Sequence, residues 1–159
     1  DTAIAGTKYL EPAQRAQWVD AVAHCAGAPL PDDLMMTSDQ VRALRRAGHT
    51  IGAHTVNHPI LQGLSRADAF KEIREGHLAL EAIIGERVGL FAYPNGKPGT
   101  DYGPEAVKIV REVGFDAAVS TAWRAARPCD DVMELPRYTP WGRNRARFGL
   151  RVAQTLLAS

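Results

Sequence analysis

The chain has 159 residues, 45% of them apolar and 23% charged, which fits a single globular domain and excludes a disordered or collagen-like chain. Its 19 basic and 18 acidic side chains leave a formal charge of +1, too little field to capture nucleic acid or an anionic membrane surface. The longest apolar runs, such as Val88–Tyr93, fall far short of the ~20 residues of a membrane span, so a neutral or weakly charged partner is expected.

Pro12 suits the first turn of a helix, where its missing amide costs nothing and its φ is preset. Trp18, Val19 and Val22 give that helix an apolar stripe, and Gly27 stops it. Thr37 with Gln40 reads as a capping box that opens a short helix through Val41 and Leu44, closed by Gly48. Thr50 to Ala53 is predicted as a short buried strand with His54 and Thr55 at its end. Ser65 and Asp68 cap a longer helix that carries Ala69, Ile73, Leu80 and Ile84 on one face and ends at Gly85. Val88 to Tyr93 is the second predicted strand, broken by Pro94-Asn95-Gly96. Pro104 opens a helix through Val107, Val110 and Val113, stopped by Gly114. Phe115 to Ser120 and Val132 to Leu135 complete the strands, and Asn144 to Leu157 reads as a final amphipathic helix.

Strands separated by helices imply parallel pairing through right-handed crossovers, an α/β fold. Polar and aromatic residues cluster just after the strands: His54 and His58, Tyr93 and Asn95, Ser120 to Trp123, Pro136 and Arg137. In a parallel sheet such positions converge at the carboxyl ends of the strands, where these folds hold their active sites. About four strands are half of what a closed barrel requires, so the sheet is either open or part of a barrel.

His54-Thr55-Val56-Asn57-His58-Pro59 is the most informative stretch. Two imidazoles at the end of a strand can aim at one point, and a catalytic zinc usually takes three protein ligands and a water. The plain alternative is two ordinary histidines, one structural and one at the surface. Pro59 and Gly52 argue against a metalloprotease helix.

Gly-His-Thr-Ile-Gly-Ala-His-Thr-Val-Asn-His-Pro (48–59) resembles the His-[Ser/Thr]-x-x-His-Pro metal motif of the polysaccharide deacetylases, the NodB-homology family. Phe91-Ala92-Tyr93-Pro94-Asn95-Gly96 resembles the family's groove motif, commonly Phe-Arg-x-Pro-x-Gly. Gly114 to Ser120 resembles the next strand, Trp123 the aromatic after it, and Leu135-Pro136-Arg137 lies near the final motif. The resemblance covers roughly residues 37–140 of a chain read as one domain, 1–159. It implies a partial (β/α) barrel and a metal-dependent hydrolase that removes N- or O-acetyl groups from an acetylated carbohydrate. His54 and His58 would ligate a divalent metal, zinc; Tyr93, Pro94, Asn95, Trp123 and Arg137 would bind substrate, with the backbone around Tyr93 and Asn95 lining the groove and helping to hold the oxyanion. Family members act on chitin oligomers, peptidoglycan and exopolysaccharides, often outside the cytoplasm.

The family's first motif, Thr-Phe-Asp-Asp-Gly, supplies the base and the third ligand before the histidines. Neither Asp32-Asp33, preceded by Pro29-Leu30-Pro31, nor Asp130-Asp131, which comes after the histidines, fits it. Together with a start at Asp1-Thr2-Ala3, this leads to the expectation of a carboxyl-terminal portion lacking its first one or two βα units, weakly active or inactive alone. Ala92 stands where many members have Arg, and Arg137 where many have a His acid. Arginine stays protonated and suits charge stabilisation or a sugar carboxylate rather than proton donation. Two alternatives are a non-catalytic carbohydrate-binding relic and a fragment that self-associates through an exposed sheet edge.

Other features carry less. Asp101, in the loop after the groove motif, is read as loop surface, with a carboxylate approaching the site as the alternative. His77 is read as a packed histidine, His49 as a helix-end cation, and Arg143, Arg145, Arg147 and Arg151 as a solvated helix face. His24 beside Cys25 points away from it on a helix, and no Gly-x-Ser-x-Gly elbow is present. Cys25 and Cys129 lack metal-ligand spacing, with pairing and free thiols both left open.

Overall fold

The computed structural model describes residues 6–27, 31, 33–137 and 144–157; Asp32 and Arg143 lie outside them. The chain divides into two compact units, one up to Thr50 and one from Ile51. No helix among the described residues is long and apolar enough to cross a membrane.

In the first unit, helix α1 (Pro12–Ala26) starts on its proline and ends where Gly27 adopts φ +59°. Its expected apolar stripe is not covered: Trp18, Val19 and Val22 are all exposed. Helix α2 (Ser38–Arg46) carries the full capping box, with Thr37 Oγ1 accepting from the Gln40 amide and Gln40 Oε1 accepting from the Thr37 amide at 2.8 Å. Both exchanges satisfy helix-end donors, so the helix forms locally although it buries no residue.

The second unit is built on a parallel sheet. Strand β1 (Leu90–Ala92) pairs with β2 (Ala117–Val119), Phe91 opposite Ala118. Single parallel bridges, Ala53 to Phe91 and Val119 to Leu135, extend the sheet on both sides, so four successive segments lie side by side in chain order. Helix α3 (Arg66–Ile84) provides the crossover into β1, and helix α4 (Pro104–Val113) the crossover into β2. The Ser65 hydroxyl caps α3 by accepting from the Asp68 amide, and Gly85 and Gly114 end the two helices in the left-handed region.

The strands are shorter than the sequence predicts. The segment 50–53 contributes only Ala53, whose amide donates to Leu90 O at 2.8 Å and whose carbonyl accepts from Ala92 N at 2.9 Å. Beyond Tyr93, Pro94 has no amide to continue the ladder. The predicted strand 132–135 is a 3₁₀ turn, Val132–Glu134, because the Asp131 carboxylate accepts from the Met133 amide and curls the chain; Leu135 alone reaches the sheet.

The core is Ile73 from α3, Ile109 and Val110 from α4, and Val88, Phe91, Phe115 and Ala118 around the strands, each at most 4% exposed. Leu80, Ile84 and Val113 pack against it. His77 is a packed histidine, as expected: its Nε2 lies 3.0 Å from both Val88 O and Glu81 Oε1, while Glu81 also accepts from the Val88 amide. The last helix, α5 (Arg145–Leu157), is capped by Asn144 Oδ1, which accepts from the amides of Ala146 and Arg147.

Candidate active site

The sheet edge after Ala53 delivers His54. Its Nδ1 lies 2.6 Å from the Ala92 carbonyl oxygen. A carbonyl only accepts, so Nδ1 carries a proton and, in the neutral ring, Nε2 keeps its lone pair, the state a metal ligand needs. Partial desolvation lowers the His54 pKa from the ordinary imidazole value; the Ala92 hydrogen bond opposes that shift, while the charges of His58 and Arg137 add to it. Ala92 thus orients the imidazole through its backbone carbonyl.

His58 returns to the same place. The His54 and His58 rings meet edge to face, 4.7 Å between centroids and 71° between planes. The loop that joins them is bent tightly, with Thr55 at φ +63° and His58 at φ +53°. For a β-branched residue such as Thr55 this conformation is unfavourable and persists only where the surroundings impose it. The Thr55 hydroxyl donates to His54 O at 2.5 Å and accepts from the His58 amide at 3.1 Å, closing the loop on itself.

Two residues of α3 that sequence reasoning did not single out hold this loop from outside. The Glu72 carboxylate accepts from the Val56 and Asn57 amides at 3.1 and 2.9 Å and from Asn57 Nδ2 at 2.7 Å. One turn later, Gly76 lets the helix approach so closely that a Cβ there would lie 2.8 Å from Thr55 C and O. The signal was present as a glycine inside a long helical pattern, which costs about 1 kcal/mol against Ala and marks close packing, with an acid four residues earlier on the same face.

The groove segment divides into buried and exposed parts. Tyr93 and Pro94, expected to bind substrate, are buried side chains. The Tyr93 ring stacks on Tyr102 at 3.8 Å, and its hydroxyl donates to Met133 O at 2.9 Å. Burial pushes the Tyr93 pKa well above the ordinary phenol value, so it is a neutral donor in the core. Only backbone from these two positions can face a groove. Asn95 is exposed, at φ +56°, and its carbonyl accepts from the Thr121 hydroxyl at 2.8 Å. Thr121 N donates back to Gly96 O at 2.7 Å, bracing the turn after β1 against the end of β2.

Arg137 is exposed just after Leu135, and its charge acts on His54. Trp123 is 65% exposed and docked onto α5: its Nε1 donates to Thr155 Oγ1 at 3.2 Å and the Arg151 guanidinium lies 5.7 Å over the ring. Asp101 is not loop surface. It is 2% exposed, and its carboxylate accepts from the Lys97 amide at 2.9 Å, closing the loop 97–101, because an inward carboxylate satisfies an amide that would otherwise be orphaned.

The acid pair 130–131 is occupied structurally. Asp130 forms a two-pronged pair with Arg124 at 2.6 and 2.9 Å, and Asp131 pairs with Arg111. Cys25 and Cys129 are both free and exposed. Among the described residues, no group of three or more His, Cys, Asp or Glu side chains is arranged to hold a metal ion.

A profile of the polysaccharide deacetylase family matches residues 12–118. The Bacillus subtilis protein YxkH, named for the same family, is 24% identical over 91 residues, which are 57% of this chain and 31% of that protein. Among solved structures, a Streptococcus pyogenes deacetylase, PplD in complex with acetate, superposes with a TM-score of 0.63 at 21% identity, covering 78% of this chain and 52% of that one. IcaB from Ammonifex degensii gives 0.61 at 22% identity, covering 76% and 52%. The BpsB deacetylase domain from Bordetella bronchiseptica gives 0.58 at 15% identity, covering 68% and 50%. The chain thus spans about half the length of these structures and about a third of YxkH. With a parallel α/β fold shared with solved deacetylases and a family profile running across most of its length, the chain belongs to the polysaccharide deacetylase family.

Proposed function

We propose that this chain supplies the histidine half of the active site of a metal-dependent carbohydrate deacetylase, with the acidic ligand and base contributed by sequence outside it. The observation that carries the reading is the pairing of His54 and His58, with His54 Nδ1 fixed on Ala92 O so that Nε2 is left as an electron-pair donor. Imidazole nitrogen suits zinc, and two such donors fit a three-ligand site that a carboxylate completes. A zinc ion held there supplies polarisation of an acetyl carbonyl and an acidified water, with a pKa brought down to ~7.

The residues of this chain then bind and orient. At the braced turn the Tyr93 and Gly96 amides are given to Val119 O and Pro94 O and Pro94 has none, so the Asn95 amide is the backbone donor proposed to face the acetyl oxyanion. Arg137, permanently charged, offers the same service or pairs with a carboxylate on the sugar; it does not donate the proton to the leaving group. Trp123, flat and exposed, offers a surface to a sugar ring. With two histidine ligands among the described residues and no third group beside them there, the chain alone is expected to bind zinc weakly and hydrolyse slowly.

The test is zinc content by elemental analysis of the purified chain and of an upstream-extended version, each beside its His54→Ala/His58→Ala double variant, with acetate release from acetylated oligosaccharide followed in parallel. The expected pattern is histidine-dependent zinc in both, tighter in the extended protein, and acetate release there. Equal, negligible zinc in all four proteins rejects the metal reading.

A further inference from the structure

We infer that Glu72 is a positioning residue for the paired histidines, holding the loop 54–58 in its ligating shape without touching the metal or the substrate. This rests on the metal reading above for its functional meaning, and on the geometry of the loop for its structural content.

The loop needs an external support. Thr55 and His58 both sit at positive φ, and the bonds through the Thr55 hydroxyl tie the ends of the loop only to each other. The middle of the loop, Val56 and Asn57, leaves two backbone amides and a side-chain amide pointing at one place. A single carboxylate meets all three donors there, one oxygen on the two backbone amides and the other on Asn57 Nδ2. An ionised carboxylate accepts at both oxygens and donates at neither, and hydrogen bonds to a charged acceptor are roughly twice as strong as neutral ones. Glutamine, the same size, has one acceptor and one donor. Its oxygen can still face the two backbone amides, but its amide N–H then meets Asn57 only if that side chain is turned over to present Oδ1, and the charge of the acceptor is lost in either case.

Glu72 belongs to the right element. It lies on α3, whose Ile73 is fully buried and whose Gly76 packs on the Thr55 backbone, so the carboxylate is mounted on a rigid support. Loss of such support around metal ligands typically lowers metal affinity about 10–100-fold. Glu75, exposed on the same helix, provides a control for the change of charge alone.

The experiment compares Glu72→Gln, Asn57→Ala and Glu75→Gln in the full chain by cobalt(II) titration, followed by visible absorption, and by amide hydrogen exchange. Glu72→Gln is expected to weaken cobalt binding about tenfold, alter the cobalt spectrum, and speed exchange at Val56 and Asn57, while Glu75→Gln changes none of these. Asn57→Ala, which removes one of the three donors and leaves the carboxylate, is expected to fall between them. It carries the test if Glu72→Gln does not fold. Wild-type exchange at Val56 and wild-type cobalt affinity in the carboxylate variant, or in Asn57→Ala if that alone folds, overturn the proposal. If the unsubstituted chain binds no more cobalt than the His54→Ala/His58→Ala variant, the metal reading fails. The exchange rates and the His58 ring resonances then still decide whether Glu72 shapes the loop.

Discussion

Replacing Gly76 with alanine tests the packing that brings α3 against the histidine loop. The added Cβ would lie 2.8 Å from both Thr55 C and Thr55 O and 3.2 Å from its Cα, whereas carbon atoms prefer about 3.5–4.0 Å. Backbone is met on the far side, so the clash cannot be relieved by turning a flexible side chain. Overpacking of this kind costs about 1–3 kcal/mol, and the unyielding contact places it in the upper half of that range. Alanine returns about 1 kcal/mol of helix propensity, leaving a net loss of about 1–2 kcal/mol. For a chain of this size that lowers Tm by roughly 2–8 °C. Gly149 is the internal control: it also sits inside a helix, α5, but a Cβ there meets nothing within 4 Å. Gly149→Ala should raise stability by about 0.5–1 kcal/mol. Thermal and urea denaturation followed by circular dichroism measure both, and Gly76→Ala should also weaken cobalt binding by displacing Thr55. A Gly76→Ala protein as stable as the unsubstituted chain, or more so, refutes the close-approach argument.

Three further outcomes are expected. Ile73→Ala, at a site with no exposure, should cost about 2–5 kcal/mol in urea denaturation, because it opens a cavity between α3 and the sheet. His54→Ala should abolish histidine-dependent zinc uptake while lowering stability by only about 1 kcal/mol, the usual worth of its one hydrogen bond to Ala92, so a zinc titration and a melting curve should diverge. Asp130 is held below the ordinary carboxylate pKa, first by its hydrogen bond from Arg124 and then by the Arg127 amide. Its contribution is therefore fully present above the unfolded value of ~3.9 and disappears as pH falls through the lower folded value. Asp130→Asn should be less stable than the parent at neutral pH, with the two stability curves converging on acidification below about pH 4; parallel curves would contradict the assignment.

What the sequence determined by itself is what neighbouring residues settle among themselves. The Thr37–Gln40 box, the Ser65 cap, the prolines that open α1 and α4 and the glycines that close α1, α3 and α4 all act within one or two turns, so their effect is visible in a short window. The same holds for His54 and His58, whose short spacing and following proline bring both rings to one loop. Strand length was not legible, because a strand extends only as far as a partner offers donors and acceptors, and Pro94 and the curl at Asp131 end those offers early. The inward turn of Tyr93, Pro94 and Asp101 was equally hidden, since burial depends on what arrives from elsewhere: Tyr102 and Met133 for the first, the Lys97 amide for the last. Glu72 and Gly76 act on a loop 15 or more residues away in sequence, and only folding α3 back across the sheet edge turns an ordinary helical acid and an awkward helical glycine into the support of the histidine pair.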